Sequence, residues 1–416
     1  MIENFQFNSK EIDKINNISP KEKNLRVKNL ERFKVTGFPN KRLEDWKFSD
    51  FKTIVHSNFK KLDIKNIPNK KVKINLLKDF EHNYIYLVNG SFYSSNFKYE
   101  DEKKIKINSY DKSVDDKIYK NPLVFLNHAF ADNGFCLEIK DNYKFKKVLI
   151  IYNVFTEDMR DKIINSKNKI KINENSELHI IDYNINKSKF KFINNCFENT
   201  IIEKNAKFRN LVIQNNRSNG IFHKFLKNKL FNNSDYSNFI FSSGLKFNKF
   251  DIECDLLGER AKCNIFSGLF LSKNEHQEIK TCINHMYPNS KSFQKIKNVL
   301  SSESKGIFQG KIFVKETAQK TDAYQLSKAL LLNDNAEFNS KPELEIYADD
   351  VKCSHGSASG SMDENSLHYL MTRGLSRDVA AKLLVKGFLS DIIEFIKSSS
   401  IKKFIENKLE EQVNEN

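Results

Sequence analysis

Residues 174–183, Glu-Asn-Ser-Glu-Leu-His-Ile-Ile-Asp-Tyr, place a polar, turn-like group of five residues directly before an apolar run. The group recurs as Lys-Asn-Ala-Lys-Phe at 204–208, Asn-Asn-Ser-Asp-Tyr at 232–236, Glu-Arg-Ala-Lys-Cys at 259–263 and Asp-Asn-Ala-Glu-Phe at 334–338. The second positions of the first four copies are 30, 28 and 27 residues apart, and the last step of 75 residues requires at least one irregular coil. A polar corner followed by a strand, at near-constant spacing, is what a coiled β-solenoid requires.

The region around these copies has the pattern of short strands. From about 146 to 352, runs of β-branched and aromatic residues alternate with polar residues, as in Lys147-Val-Leu-Ile-Ile-Tyr152, and helical periodicity is largely absent. Without the repeat, such a region fits a sandwich, a barrel or a solenoid. The repeat favours the solenoid, although frequent Asn and Lys in this chain can account for part of it.

Patterns of a different kind precede this region. Up to about residue 60 the spacing is helical, then Tyr84-Ile-Tyr-Leu-Val88 and Asn89-Gly90 predict a strand followed by a tight turn and a second strand. The segment Asn121–Phe130 predicts a short helix that begins at its proline. The apolar residues at helical spacing in the first part are Leu25, Val27, Leu30, Phe33 and Val35.

The chain becomes helical again from residue 361. An apolar stripe that includes Leu367 ends at Gly374, a residue typical of helix carboxyl ends, and Ser376 is a suitable first cap for the next helix. After the polar run 398–400, the charged tail predicts a frayed helix.

The formal net charge of +16, from 69 Lys and Arg against 53 Asp and Glu, raises the possibility of nucleic-acid binding. The lysines are spread along the whole chain, however, and no helix-turn-helix, zinc-finger or RNA-binding signature accompanies them. Abundant Lys, Asn, Ile and Phe with scarce Gly, Pro and Trp indicate an A- and T-rich genome instead. We therefore expect no nucleic-acid partner.

Several other classes are disfavoured by missing motifs. No apolar stretch approaches the length of a membrane span, and Met1–Gln6 lack the basic and apolar segments of a secretory signal, so we expect a cytoplasmic protein. The segment Gly306–Lys311 has three residues between its glycines and Ile after its lysine, which a phosphate-binding loop does not allow. The six cysteines form no C-x-x-C pair; they are Cys136, Cys196, Cys254, Cys263, Cys282 and Cys353.

One constellation stands out, in Asp349-Asp-Val-Lys-Cys-Ser-His-Gly356. If this is a strand, Cys353 and His355 point to the same side, where a thiolate and an imidazole can both bind a metal, but two ligands cannot close a tetrahedral site. On spacing alone, the favoured interpretation is a buried Cys353 and a hydrogen-bonded His355. The pair Asp349 and Asp350 is interpreted as turn residues.

A second possible cluster is interpreted as structural. It comprises His276, Cys282 and His285, which precede a serine-rich loop.

The carboxyl-terminal third resembles the SufB/SufD family. The resemblance lies in Phe308–Val314, Ala318–Leu326 and Lys341–Gly356, continues through Asp363-Glu364 and Arg373-Gly374-Leu375, and extends loosely to Gly387-Phe388. Upstream, Glu44–Ser49 and Phe125–Phe130 are similar to amino-terminal elements of the family. The chain length, the residue sequence around Cys353 and the element at Trp46 are more similar to SufD than to SufB.

The resemblance implies a mainly β fold, with a right-handed parallel β-helix core between helical domains at both ends. The implied segments are 1–105 (amino-terminal helical or mixed), 106–355 (β-helix) and 356–416 (carboxyl-terminal helical, ATPase-binding).

It also implies a function. The chain would be a non-enzymatic, cytoplasmic scaffold subunit that pairs with a SufB-type subunit, binds a SufC-type ABC ATPase and passes iron–sulfur clusters to apo-proteins. Iron or a nascent cluster would be shared with SufB, and this chain would bind no nucleotide. On this basis His355, and more weakly Cys353, are candidate cluster ligands at the subunit boundary. Tyr369, Arg373 and Gly374 are candidate ATPase contacts.

Two alternatives stay open at this point. A SufB-like chain, acting as the main cluster scaffold, would depend on several of its cysteines. A stand-alone carbohydrate-active β-helix would place carboxylates or Arg together on one coil face, and the repeats contain no such group.

Overall fold

The computed structural model describes residue 5 and residues 7–64, 72–73, 75–115, 117–214, 217–396 and 398–415. Within these residues the chain forms a parallel β-solenoid that helices precede and follow in sequence, which confirms the predicted mainly β fold. The expected absence of a secretory signal concerns Met1–Gln6, of which all but Phe5 lie outside the described residues. The helices are α1 (Ser9–Asp13), α2 (Pro20–Thr36), α3 (Phe51–Asn58), α4 (Pro122–Phe130), α5 (Glu364–Thr372), α6 (Arg377–Ile393) and α7 (Ser399–Glu415).

Two sheets form the walls of the solenoid, and each coil contributes one strand to each sheet. Strands pair in parallel with the equivalent strand of the next coil, except that β1 pairs with β2 and β3 with β4 in antiparallel fashion. The ten-stranded sheet consists, in spatial order, of β2 (Ser91–Asn96), β1 (Asn83–Val88), β5 (Leu149–Phe155), β7 (Glu177–Asn186), β9 (Lys207–Gln214), β11 (Asp235–Ser242), β13 (Lys262–Leu271), β15 (Lys291–Leu300), β17 (Thr321–Leu331) and β19 (Val351–Ser361). The nine-stranded sheet consists of β3 (Ile105–Ser109), β4 (Phe135–Ile139), β6 (Ile163–Ile172), β8 (Phe192–Ile202), β10 (Ser218–Leu230), β12 (Leu245–Leu256), β14 (His276–His285), β16 (Lys305–Val314) and β18 (Glu337–Ile346).

The repeated polar group forms the corners at one edge of the solenoid. Its second residue has a positive φ, as at Asn175 (57°), Asn205 (56°) and Asn233 (56°). Asn tolerates this left-handed conformation better than other residues with a β-carbon. The amide of Asn205 also donates to the side chain of Asn175 over 2.9 Å, so successive corners are joined along the edge.

The prediction that the fifth copy of the group continues the same edge, after an irregular coil, is wrong. Residues 334–338 connect β17 to β18 at the opposite edge of the solenoid. The edge that carries the first four copies continues instead through Asn289 and Lys320, both at positive φ, so the step of 75 residues contains no irregular coil. The corner at Lys320 was not recognised in the sequence, because lysine is not a residue type that indicates a left-handed turn.

Buried apolar side chains fill the space between the two sheets, and other elements cover parts of their outer faces. Helices α6 and α7 cover the ten-stranded sheet with residues such as Leu389 and Phe404. The tail is therefore a packed helix and not a frayed one, since Phe404 is 3% exposed. In α2, Leu30 and Phe33 are buried in the amino-terminal lobe, whereas Val35 near the helix end is 88% exposed.

The secondary structure differs from the expected segment limits at two places. Strands β1 and β2 lie within 1–105 but extend the ten-stranded sheet. Strand β19 passes the limit at 355 and runs to Ser361, where it still pairs with Leu331 of β17. Residues 356–361 are Gly, Ser and Ala, so they carry no apolar alternation from which a strand could be predicted. Among the described helices, none has both the length and the apolar character that crossing a bilayer requires.

Candidate functional site

Cys353 and His355 lie on β19, the last strand of the ten-stranded sheet. They are in register with Ala323 and Gln325 of β17, whose side chains are buried between the sheets. Both candidate ligands therefore belong to the inward-facing side of the last coil, as the alternation predicted.

The last coil is open. Strands β18 and β19 end their sheets, and no other strand in the described part of the chain pairs with their outer edges. As a result His355 is exposed, although Gln325 one coil below is only 1% exposed. Such an edge presents unpaired backbone N–H and C=O groups, which makes it a template for pairing with another chain.

The two candidate ligands differ in their surroundings. Cys353 is half-buried and packs on the small apolar cluster that includes Ile312 and Ala323. Burial raises the pKa of its thiol, so at neutral pH the thiol is the favoured form and a nearby cation is needed to draw out the thiolate. His355 is the more accessible donor.

The described residues contain no group of three or more His, Cys, Asp or Glu side chains arranged to hold a metal ion. Cys353 and His355 offer two donors of the kinds that iron and its clusters accept, but they cannot close a coordination shell by themselves. A metal ion bound at this end would need ligands in addition to these two side chains.

The neighbouring acidic pair has a structural role. The backbone N–H of Asp350 donates to the side chain of Gln319 over 2.9 Å, and its carbonyl accepts from the N–H of Lys320 over 2.6 Å. Both acidic residues are exposed at the corner before β19, which fits the prediction of turn residues.

The second cluster does not come together as a site. His276 and His285 are the first and last residues of β14, so nine steps of extended chain separate their backbones by about 30 Å. His285 is fully buried and makes hydrogen bonds with the hydroxyls of Ser290 and Ser292, at 2.7 and 2.9 Å. Cys282 bonds instead to Asn284.

The glycine motif that resembles a phosphate-binding loop lies inside strand β16. A β-carbon on Gly310 would come within 2.5 Å of the Gln325 side-chain oxygen, and one on Gly306 within 2.9 Å of Leu300. The two glycines therefore make room for side chains of the strands before and after β16, and the motif has no loop that could surround a phosphate.

Around Tyr369 the carboxyl-terminal helices present an exposed surface. Tyr369 is 57% exposed, and the Arg373 guanidinium lies 5.3 Å from the centre of its ring. Gly374 follows with φ of 92°, which turns the chain into α6. Tyr369 and Arg373 thus form one exposed surface beside the turn at Gly374. Other apolar side chains on α5 and α6 are also exposed; these are Met371, Val379 and Leu383.

Buried charges anchor the Glu44–Ser49 segment on the outer face of the nine-stranded sheet. Trp46 is fully buried beneath the Lys249 ammonium, which lies 4.5 Å from its ring and donates to the Asp45 carbonyl over 2.9 Å. Lys249 also pairs with Glu278. The segment that resembles a family element is therefore an anchor for the amino-terminal lobe.

Asp251 belongs to the same network of buried charges. Burial acts to raise its pKa, but Lys249 and a hydrogen bond from His223 outweigh burial and hold the pKa well below its usual range. Sequence patterns did not reveal this network, because its members come from neighbouring coils and look like ordinary polar positions of strands.

Comparison with known proteins gives two family matches. The model described as "SUF system FeS cluster assembly, SufBD core domain" matches residues 154–388, and the model "SufBD protein N-terminal region" matches residues 2–151. The iron-sulfur cluster assembly protein SufD of Escherichia coli is 23% identical over 90% of this chain and 89% of its own length. Protein ABCI7, chloroplastic, of Arabidopsis thaliana is 28% identical over 57% of this chain and 50% of its own length. A SufBD family iron-sulfur cluster assembly protein of Pyrococcus horikoshii is 44% identical over 26% of this chain and 25% of its own length.

Proposed function

We propose a function from one premise: this chain belongs to the SufBD family of iron–sulfur cluster assembly proteins, whose two models match residues 2–151 and 154–388. Within that family we assign it the role of a SufD-type scaffold subunit without ATPase or redox chemistry of its own. It would pair with a SufB-type subunit, bind a SufC-type ATPase, and help to deliver clusters to apo-proteins in the cytoplasm.

The observation that carries this proposal is the open last coil. Strands of ten and eleven residues, β18 and β19, end there with unpaired edges and uncovered inward-facing side chains. Among the latter, Ile346 is 37% exposed. A second solenoid that places its own last coil against this edge would pair the backbone groups and cover the apolar side chains.

The incomplete donor pair supports pairing with a cysteine-bearing subunit in particular. His355 is accessible and Cys353 is half-buried, and both face the side that such a subunit would cover. Iron or a nascent cluster is then cargo held between two chains, with His355 as one ligand and partner cysteines as the others. Release of cargo would follow from separation of the two surfaces.

The surface formed by Tyr369, Arg373 and Gly374 is our candidate for the ATPase contact. It is exposed, and it joins an aromatic ring to a guanidinium on helices that also carry exposed apolar side chains. Aromatic residues and Arg are enriched at the centres of protein interfaces. ATP would be bound and hydrolysed by the partner and not by this chain.

The test is co-expression with the SufB-type and SufC-type proteins of the same organism, with an affinity tag on this chain alone. We expect both partners to co-elute with it in size-exclusion chromatography. Elution of a folded chain without either partner would contradict the assembly role.

The same complex tests the site. His355→Ala is expected to abolish transfer of clusters to an apo-ferredoxin while both partners still co-elute. His56→Ala is the matched control, because His56 is also exposed but lies on α3 in the amino-terminal lobe. Normal cluster transfer by the His355 variant would remove His355 from the site.

A further inference from the structure

Gln325 lies directly beneath His355 and is buried in the interior of the solenoid. The two residues are register partners in the β17–β19 pair, so their backbones are about 4.8 Å apart and their side chains leave the sheet on the same side. Gln325 is 1% exposed, whereas His355 above it is exposed.

The amide of Gln325 is only half satisfied. Its nitrogen donates to the carbonyl of Gly310 at the long distance of 3.5 Å, and its oxygen Oε1 has no hydrogen-bond partner. A buried carbonyl oxygen without a partner is unfavourable, and in native proteins such atoms usually receive a donor from a side chain or an ordered water. The amide is also confined, because a β-carbon on Gly310 would lie 2.5 Å from Oε1.

The next register pair along the same two strands shows that such a donor can come from the last coil. The hydroxyl of Ser327 on β17 bonds to the hydroxyl of Ser357 on β19 over 3.0 Å. Ser357 is the next inward-facing residue after His355, so side chains in this part of the interior do reach from one coil to the next. The coil below does not supply the missing bond in this arrangement: the amide nitrogen of Gln294, the register partner of Gln325 on β15, is itself unpaired, and the oxygen of that amide accepts from Thr281.

We propose that Gln325 is a positioning residue for His355. Its Oε1 accepts the N–H of the imidazole, directly or through one water, and this bond fixes which ring nitrogen carries the proton. The other nitrogen then presents its lone pair outward from the open coil, toward the cargo. Imidazoles that bind metals are commonly oriented in this way by an acceptor on the opposite nitrogen. This inference rests on the proposed function for its purpose, but the bond itself belongs to this chain alone.

The test is nitrogen NMR of the purified full-length chain with isotope-labelled histidine, in which the ring nitrogen shifts report the tautomer. The His355 signals are assigned from their loss in His355→Ala. We expect one dominant tautomer of His355 in the unaltered chain and a mixture of both in Gln325→Met, which keeps the side-chain length but lacks the acceptor. Gln325→Glu, which keeps an acceptor, should restore one dominant tautomer.

The matched control is Gln294→Met, the same change one coil deeper, which should leave the His355 tautomer unaltered. Overturning results are an unchanged tautomer ratio in Gln325→Met, or an equal change in the control. The outcome is separable from that of the proposed function. If His355→Ala still transfers clusters, the function fails while the bond stands; if the tautomer ignores Gln325, the positioning role fails while the function stands.

Discussion

The two ends of the solenoid are built differently. At the start, each sheet ends in a short antiparallel strand, β2 with six residues and β3 with five. At the end, each sheet finishes in a long parallel strand, β18 with ten residues and β19 with eleven. Short edge strands discourage pairing with other chains, whereas long regular ones invite it. The chain thus terminates its own sheets at one end and leaves them extendable at the other.

The largest expected effect concerns two phenylalanines, one near each end of the solenoid. Phe135 on β4 is fully buried near the start, and Phe338 on β18 is only partly buried in the last coil. Phe135→Ala should lower the free energy of unfolding of the isolated chain by about 3–5 kcal/mol, the usual cost of emptying such a site. Phe338→Ala should cost the isolated chain much less. Urea unfolding measures both changes, and equal losses would contradict the difference between the ends.

The next test concerns binding of the partner at the open last coil. Ile346→Asp should weaken binding to the SufB-type subunit by about 100-fold or more, because an unpaired carboxylate would be buried at the interface. Val35→Asp is the control, since Val35 is an exposed valine on α2 in the amino-terminal lobe. Surface plasmon resonance with the partner immobilised gives both affinities. Equal binding by the two variants would place the partner elsewhere.

Lowering the pH is expected to have a smaller effect on the free energy of unfolding. A covered coil buries a neutral histidine, and the folded chain resists its protonation. Burial lowers the pKa of His285 to about 4, whereas an unfolded histidine titrates near about 6.5. Below about pH 6.5 the unfolded chain therefore binds a proton that the folded chain refuses, so stability is complete above that pH and falls as the solution becomes more acidic. Between pH 7 and 5 this one residue should cost about 2 kcal/mol.

Urea unfolding at several pH values measures this loss, and His285→Gln should make the curve flatter over that range. His179→Gln should act in the same direction, because burial also lowers the pKa of His179 to about 4. An identical pH dependence with and without His285 would show that the residue does not titrate as its burial requires.

Most of the fold could be predicted from the sequence, because the corners of the solenoid have a local sequence pattern. Asn175, Asn205 and Asn233 each occupy a left-handed position that few residue types accept, so the same short pattern had to recur once per coil. Period-two alternation likewise placed Cys353 and His355 on one side of a strand. Both inferences need only neighbouring residues.

What escaped prediction depends on contacts between coils. That Gln325 lies beneath His355 follows from the register of β17 with β19, which is set thirty residues apart in the chain. The pairing of Lys249 with Glu278 has the same origin, since a lysine and a glutamate on separate strands look solvated in the sequence. The corner at Lys320 was not predicted because lysine has no intrinsic preference for the left-handed conformation that Lys320 adopts there.

The regular spacing of the corners has a consequence for how the protein is made. From β6 onward each strand pairs with one about one coil earlier in the chain, so the contacts that build most of the solenoid have short and nearly constant sequence separation. Coils can therefore be added one after another as the polypeptide emerges from the ribosome, amino-terminal ones first. The last coil, with the surface that we assign to the SufB-type partner, forms only after all earlier coils, so a chain that stalls before the end of β19 at Ser361 would lack it. Pairing at this end would thus select against molecules with an incomplete solenoid, without any separate checkpoint.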